Sequence, residues 1–413
     1  MTQPTNTGIG SLLLDAQRRT LALTADLQGE QLLGPRLAIV NPPLWEIGHL
    51  AWFQEHWCLR HRAGGALLPS IFPNADKLYN SALVAHDTRW DLPLPTLPET
   101  YGYLQEILQR VQKRLENEPG NESLNYFAQL ALFHEDMHGE AFAYTRQTLG
   151  YSRPQLEVRQ ASPQSGGVWL GDAEIPGGEF MMGARAGSGF VFDNEKWAHP
   201  VTIKPFRMAR APVTNAEFAA FVEDRGYQRK ELWPEAGWSW RQAARAEVPA
   251  YWMKQDGLWV QRVFDEWVLL PPHQPMIHVN WFEAEAWCRW AGRRLPSEAE
   301  WEFAAPPDAN HANLDGLRTQ CAEVSCHAEG DSAWGCRQMF GNVWEWTADW
   351  FQPYPGFVRD PYKEYSEPWF GNHKVLRGGC FMTRSRLLRN TWRNFYTPDR
   401  RDVFAGFRTC SIG

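Results

Sequence analysis

FAQLALFHEDMHGEAF, residues 127–142, decides how the first third of this chain folds. Phe127, Ala131, His134, His138 and Phe142 recur at steps of three and four, so they share one face of a helix. On that face two imidazoles stand one turn apart, close enough to bind one ion. The rest of the face is apolar, so the rings point at a core, where an unpaired polar group is costly. Trp45, His49, Trp52 and His56 repeat the pattern on a second stretch, and His49 can supply a third nitrogen from a facing helix. An all-imidazole, open-faced site suits Zn, Cu or Fe, and ligand type does not choose among them. The literal H-E-x-x-H also raises a zinc peptidase with Glu135 as general base. That reading needs a third ligand downstream, and Glu140 lies on the same helix.

Outward from this stretch, Leu104, Ile107, Leu108, Val111 and Leu115 carry the same spacing. Together with Leu12–Leu27 and Trp45–Trp57 they predict four helices, with the Pro-, Asn- and Asp-rich segment from Ala63 to Pro98 as a long crossover connection. From about Ser152 the pattern changes to short strand-like runs punctuated by Gly and Pro. Two helices interrupt them: Asn215 to Asp224, capped by Thr214, and Trp281 to Ala291, ended by Gly292. No tandem period is present, which disfavours a propeller or solenoid. The expected fold class is α+β with two domains, a four-helix bundle over residues 1–155 and an irregular α+β domain over 156–413. The boundary is expected in the polar stretch Tyr151–Gly167.

With 413 residues, 44% hydrophobic and 22% charged, the chain exceeds one small core and is not disordered. A net charge of -7, from 41 basic and 48 acidic residues, leaves no electrostatic footprint for nucleic acid or anionic membrane. No apolar run reaches the roughly 18 residues of a membrane span, and the N-terminus lacks a signal pattern. A cytoplasmic location and small-molecule partners are therefore expected. The cysteines, 58, 288, 321, 326, 336, 380 and 410, are odd in number and form no C-x-x-C array, which argues against disulfides or structural zinc. The 22 tryptophans are uneven, with only 45, 52, 57 and 90 falling before residue 156.

PPLWEIGHLAWF (42–53) followed by HEDMH (134–138) resembles the DinB-like iron-binding bundle of ergothioneine-type sulfoxide synthases. IPGGEF (175–180), RLPSEAEWE (294–302), GNVWEW (341–346), LRGG (376–379) and GFR (406–408) resemble the formylglycine-generating-enzyme (C-type-lectin-like) domain fused to it. The resemblance implies a non-haem Fe(II) held by His49, His134 and His138, with O2 as co-substrate and a chalcogen bonded to the imidazole carbon of hercynine. It matches Tyr362 and Tyr365 of PYKEYSE (361–367) to the family's active-site tyrosines, Tyr362 being the expected proton donor. The alternative is that both tyrosines pack in a loop. Within RNFYTPDRR (393–401), Asn394 and Phe395 match positions near hercynine, where an aromatic face favours a quaternary ammonium.

Two positions depart from the family pattern. Members using γ-glutamylcysteine carry an acid where this chain has Tyr396, paired with an arginine matching Arg400, and Met137 stands in place of a glutamine. NADKLYNSALVAHDTRW (74–90) is similar to the selenoneine synthase branch, whose donor is the selenosugar 1-seleno-β-D-glucose. A neutral hydroxylated donor needs no carboxylate clamp. The expected activity is therefore C–Se bond formation between hercynine and a selenosugar, with Arg89, Tyr396, Arg400 and Arg401 in the donor pocket. C–S bond formation with γ-glutamylcysteine or cysteine is the alternative within the family. A zinc peptidase and a lectin-like binding module are the readings from other classes.

Overall fold

The structure is a computed structural model that describes residues 6–62, 64–156 and 166–413. The chain divides into two compact units, Met1–Leu149 with Pro154–Leu156, and Gly150–Arg153 with Glu157–Gly413. Much of the expected linker, Tyr151–Gly167, lies outside the described residues.

The first unit is built on four long helices: α1 (Asn6–Thr24), α2 (Pro43–Glu55), α4 (Leu97–Asn117) and α5 (Glu122–Leu149), with a short α3 (Ala75–Tyr79) in the crossover. The stripe Leu104, Ile107, Leu108, Val111 and Leu115 is buried on α4, as its spacing requires. α1 packs on α4 and α5, and α2 packs on the same two helices. α2 begins two residues earlier than its aromatic spacing suggests, because Pro43 at the first turn has a preset φ and no N–H to lose. Every residue of α2 is buried, which explains why its sequence is apolar nearly all round. After Glu55 the helix loosens into one π-turn, His56–Arg60. Thr96 caps α4 in a reciprocal box with Glu99, whose carboxylate takes the Thr96 N–H at 2.8 Å and hydroxyl at 2.6 Å.

The crossover is tied to α2. Asp76 on α3 receives both terminal nitrogens of Arg60, at 2.9 and 2.7 Å, and the Trp52 indole N–H at 2.7 Å. The Trp45 indole donates to the Leu78 carbonyl at 2.7 Å. These bonds make the segment a wall of the bundle.

The second unit carries α6 (Asn215–Glu223), α7 (Glu235–Ala243), α8 (Trp281–Trp290) and α9 (Glu298–Ala304). Its strands are β1 (Asp172–Ile175), β2 (Gly178–Met182), β3 (His199–Ile203), β4 (Phe206–Ala209), β5 (Trp252–Gln255), β6 (Leu258–Val263), β7 (Glu266–Leu269), β8 (Arg293–Arg294), β9 (Trp344–Trp350), β10 (Lys374–Arg377), β11 (Asn394–Tyr396), β12 (Ala405–Gly406) and β13 (Cys410–Ser411). They form two four-stranded sheets, in the orders β1-β4-β13-β8 and β11-β10-β9-β12, with a β2-β3 pair and a β5-β6-β7 meander. Thr214 and Asn280 cap α6 and α8 through Glu217 and Glu283, and Gly292 takes φ +62° just past α8. α7 and α9 have no counterpart in the periodicity reading, since each spans about two turns. The signal for α9 was nonetheless present in Ser297 and Glu300, which form its capping box.

The family-like motifs of this unit meet in its core as ion pairs. Glu298 of α9 accepts Arg377 Nη1 at 3.0 Å and Arg393 Nε at 2.7 Å, and Glu302 accepts Arg377 Nη2 at 2.6 Å. Arg408 grips Glu345 through Nε and Nη2, both at 2.9 Å, while the Trp301 indole donates to the same carboxylate at 2.7 Å. Trp301, Trp344 and Trp346 are buried around them. All seven cysteines are buried and free.

Candidate metal centre

His134 and His138 stand one turn apart on α5, and His49 reaches them from α2. One ring nitrogen from each lies within 4.8 Å of the other two. His49 Nε2 and His134 Nε2 are 3.3 Å apart. Two nitrogens each about 2.1 Å from one ion are separated by that much when they subtend roughly 100° at it, so the pair is spaced as metal ligands are. Burial drives His49 and His134 well below the ordinary imidazole range, and the neighbouring His138 pushes both further down. Both are therefore neutral rings with lone pairs to offer.

The remaining ring nitrogens show how the cluster is aimed. His49 Nδ1 donates to the Tyr79 carbonyl at 2.8 Å, which leaves Nε2 to face the cluster. Gly48 permits this contact, because a Cβ there would lie 2.3 Å from the Tyr79 ring. His138 Nδ1 lies 2.5 Å from Glu46 Oε1. Phe53 stacks face to face on His134 at 3.6 Å, and Trp45 lies parallel to His49 at 5.0 Å. The side chain of His138 is the most open of the three, 18% exposed. Glu46 and Tyr79 escaped the sequence reading. Glu46 had a signal, since it precedes His49 by three residues on the same helix face, but the Tyr79 contribution is a backbone carbonyl.

The zinc-peptidase alternative places Glu135 as a base over the ion. Its Oε1 instead accepts the Thr20 hydroxyl of α1 at 2.8 Å, and the converging ligand set contains His49 rather than Glu140. Arg89 lies close by: its guanidinium sits 3.9 Å from the centre of the Trp45 ring, and Nη1 donates to Asn41 at 2.5 Å. Burial lowers its pKa to about 10, against the opposing pull of Glu46. Its Nε has no acceptor among the described residues.

The other expected site residues lie in the second unit. Tyr362 and Tyr365 have ring centres 6.1 Å apart, and Tyr365 stacks on Phe192 at 4.2 Å. Burial raises both phenols above their ordinary range, with Glu364 adding to the effect at Tyr362, so both hold their protons at neutral pH. The expected substrate loop begins as strand β11, in which Phe395 lies opposite Val375 of β10. Phe395 stacks on Phe351 at 4.1 Å, so one of its faces is taken, and Tyr365 and His373 flank the ring at 5.9 Å. The Asn394 side chain accepts the Phe395 N–H at 2.8 Å. Arg400 binds Asp402 through two nitrogens, at 2.6 and 2.7 Å, with its guanidinium 5.1 Å from the Tyr396 ring centre. Arg401 reaches Glu283 at 3.4 Å.

Residues 12–141 match the DinB superfamily, and residues 171–314 and 308–411 match the sulfatase-modifying factor enzyme 1-like domain. A hercynine oxygenase of Mycolicibacterium thermoresistibile is 34% identical over 96% of this chain and 93% of its own. The chain belongs to the ergothioneine-type sulfoxide synthase family. A second relative in this family, the hercynine oxygenase of Mycobacterium tuberculosis, is 33% identical over 96% of each chain. The second unit alone has relatives outside it. A formylglycine-generating enzyme of Streptomyces coelicolor is 31% identical over 58% of this chain and 88% of its own. The two units are thus the DinB-like bundle and the formylglycine-generating-enzyme-like domain of this synthase family.

Proposed function

We propose that the protein is an Fe(II)- and O2-dependent oxidoreductase that forms a C–Se bond between hercynine and 1-seleno-β-D-glucose, on the route to selenoneine. The observation that carries the reading is the convergence of His49, His134 and His138 in a chain whose full-length relatives are hercynine oxygenases. Iron held by these nitrogens would supply the activation of O2, the acceptor of the electron pair released as the new bond forms. The chain's own groups do the rest. Tyr362, kept protonated by burial, holds a proton at Oη for delivery to reduced oxygen. The face of Phe395 not covered by Phe351 is the surface offered to the trimethylammonium group.

The selenosugar assignment rests on the donor side. Arg400 is already neutralised by Asp402, and Tyr396 beneath it has no charge with which to clamp an α-ammonium group. A neutral, hydroxylated donor fits such a surface, with aromatic and hydroxyl groups against a sugar ring. Fe(II)-loaded protein, incubated anaerobically with hercynine and either 1-seleno-β-D-glucose or γ-glutamylcysteine and then exposed to air, should give the selenium adduct by mass spectrometry. Preference for the peptide would overturn the selenium assignment and leave C–S bond formation as the activity.

A further inference from the structure

Two of the three candidate ligands, His49 and His138, differ in what stands behind them. His49 is backed by a neutral carbonyl, that of Tyr79. His138 is backed by a carboxylate, Glu46 Oε1 at 2.5 Å. Glu46 is 1% exposed; the Arg89 guanidinium feels its charge from a distance, and its close partner is the His138 ring. A carboxylate removed from water without a full cationic partner is strongly disfavoured. An ion held by the far nitrogen of the His138 ring would be a positive charge that offsets this cost. Glu46 also precedes His49 by one turn of α2, so a single helical turn supplies one ligand and orients another on the facing helix. A carboxylate that accepts the N–H of a ligating imidazole fixes the ring and makes the opposite nitrogen a stronger donor.

We infer that Glu46 is a positioning residue of the metal centre, acting through His138 to make that ring a stronger donor than the carbonyl-backed His49. The inference rests on the reading that the cluster holds iron, and its test separates the two. Fe(II) affinity is measured anaerobically against a competing chelator for the wild type, Glu46→Gln and Glu46→Asp, together with the Fe(III)/Fe(II) midpoint potential. Glu46→Gln is expected to weaken Fe(II) binding about 10- to 100-fold and to move the potential upward, because the lost negative charge favoured the ferric ion. Glu46→Asp, which keeps the charge on a shorter arm, is expected to fall between the two. Wild-type affinity and potential in Glu46→Gln would overturn the role of Glu46 while leaving the iron reading intact. A wild type that binds no Fe(II) would remove both. Should Glu46→Gln fail to fold, the Zn(II)-loaded wild type still decides by nitrogen-15 NMR. The His138 Nδ1 proton should lie downfield of the His49 Nδ1 proton, and one no further downfield would overturn the inference.

Discussion

In the bundle, His49 and His134 turn ring nitrogens toward each other 3.3 Å apart, and a nitrogen of His138 converges on the same place. In the second unit, Arg408 and Glu345, both without exposed surface, close on one another through paired contacts at 2.9 Å. Arg377 and Arg393 share Glu298 in the same manner. Both regions bury polar groups that cost free energy unless partnered. The charges of the second unit are spent on each other and hold a loop-rich fold together. His49 and His138 of the bundle are held in place from behind, by Tyr79 and Glu46, and one nitrogen of each converges with one of His134. The difference is one of chemistry: opposite charges neutralise one another in the second unit, whereas the bundle gathers three imidazoles that could share one cation.

The largest expected break of this contrast is His134→Ala. Two remaining nitrogens leave a weak site, so stoichiometric iron should be lost while the helical circular dichroism signal stays. Full iron occupancy in the variant would mean that the ligand set is wrong. Next comes Glu345→Gln in the second unit, which leaves Arg408 buried without its counter-charge. It should cost about 3–5 kcal/mol in chemical denaturation, with iron stoichiometry unchanged in the folded protein. A smaller effect is expected for Tyr362→Phe: unchanged iron content, with turnover slowed roughly 100-fold or the product altered. Unchanged kinetics would move the proton-donor role to Tyr365. Smallest is Thr214→Ala, which removes only the cap of α6 and should cost about 1 kcal/mol.

The bundle was legible because a 3.6-residue period written over four turns or more, as in α4 and α5, leaves little choice of face. His134 and His138 share such a face on α5, whereas α2 is buried all round, and His49 was marked there by the repeat of aromatic residues around it. The short helices α7 and α9 were not, because two turns do not establish a period, although Ser297 and Glu300 spelled the cap of α9 in advance. What lay outside the reach of a linear sequence was partnership. Nothing in the spacing shows that Glu135 turns to Thr20 on α1, that Arg400 is taken by Asp402, or that Phe351 covers one face of Phe395. Glu46 was in plain view in the stretch that supplied His49, yet its meaning required the position of His138 across the helix pair. Nor does the spacing show that Trp301, inside one motif, donates to Glu345 of another.

The central claim is that the converging imidazoles hold a redox-active ion for chemistry on hercynine. It is tested most directly by O2 uptake on adding hercynine and a chalcogen donor to protein reconstituted with Fe(II) or with Zn(II). The account predicts hercynine-dependent O2 consumption with Fe(II) and none with Zn(II). Fe(II)-loaded protein that consumes no O2 with hercynine and either donor, or Zn(II)-loaded protein that is fully active without O2, would contradict it.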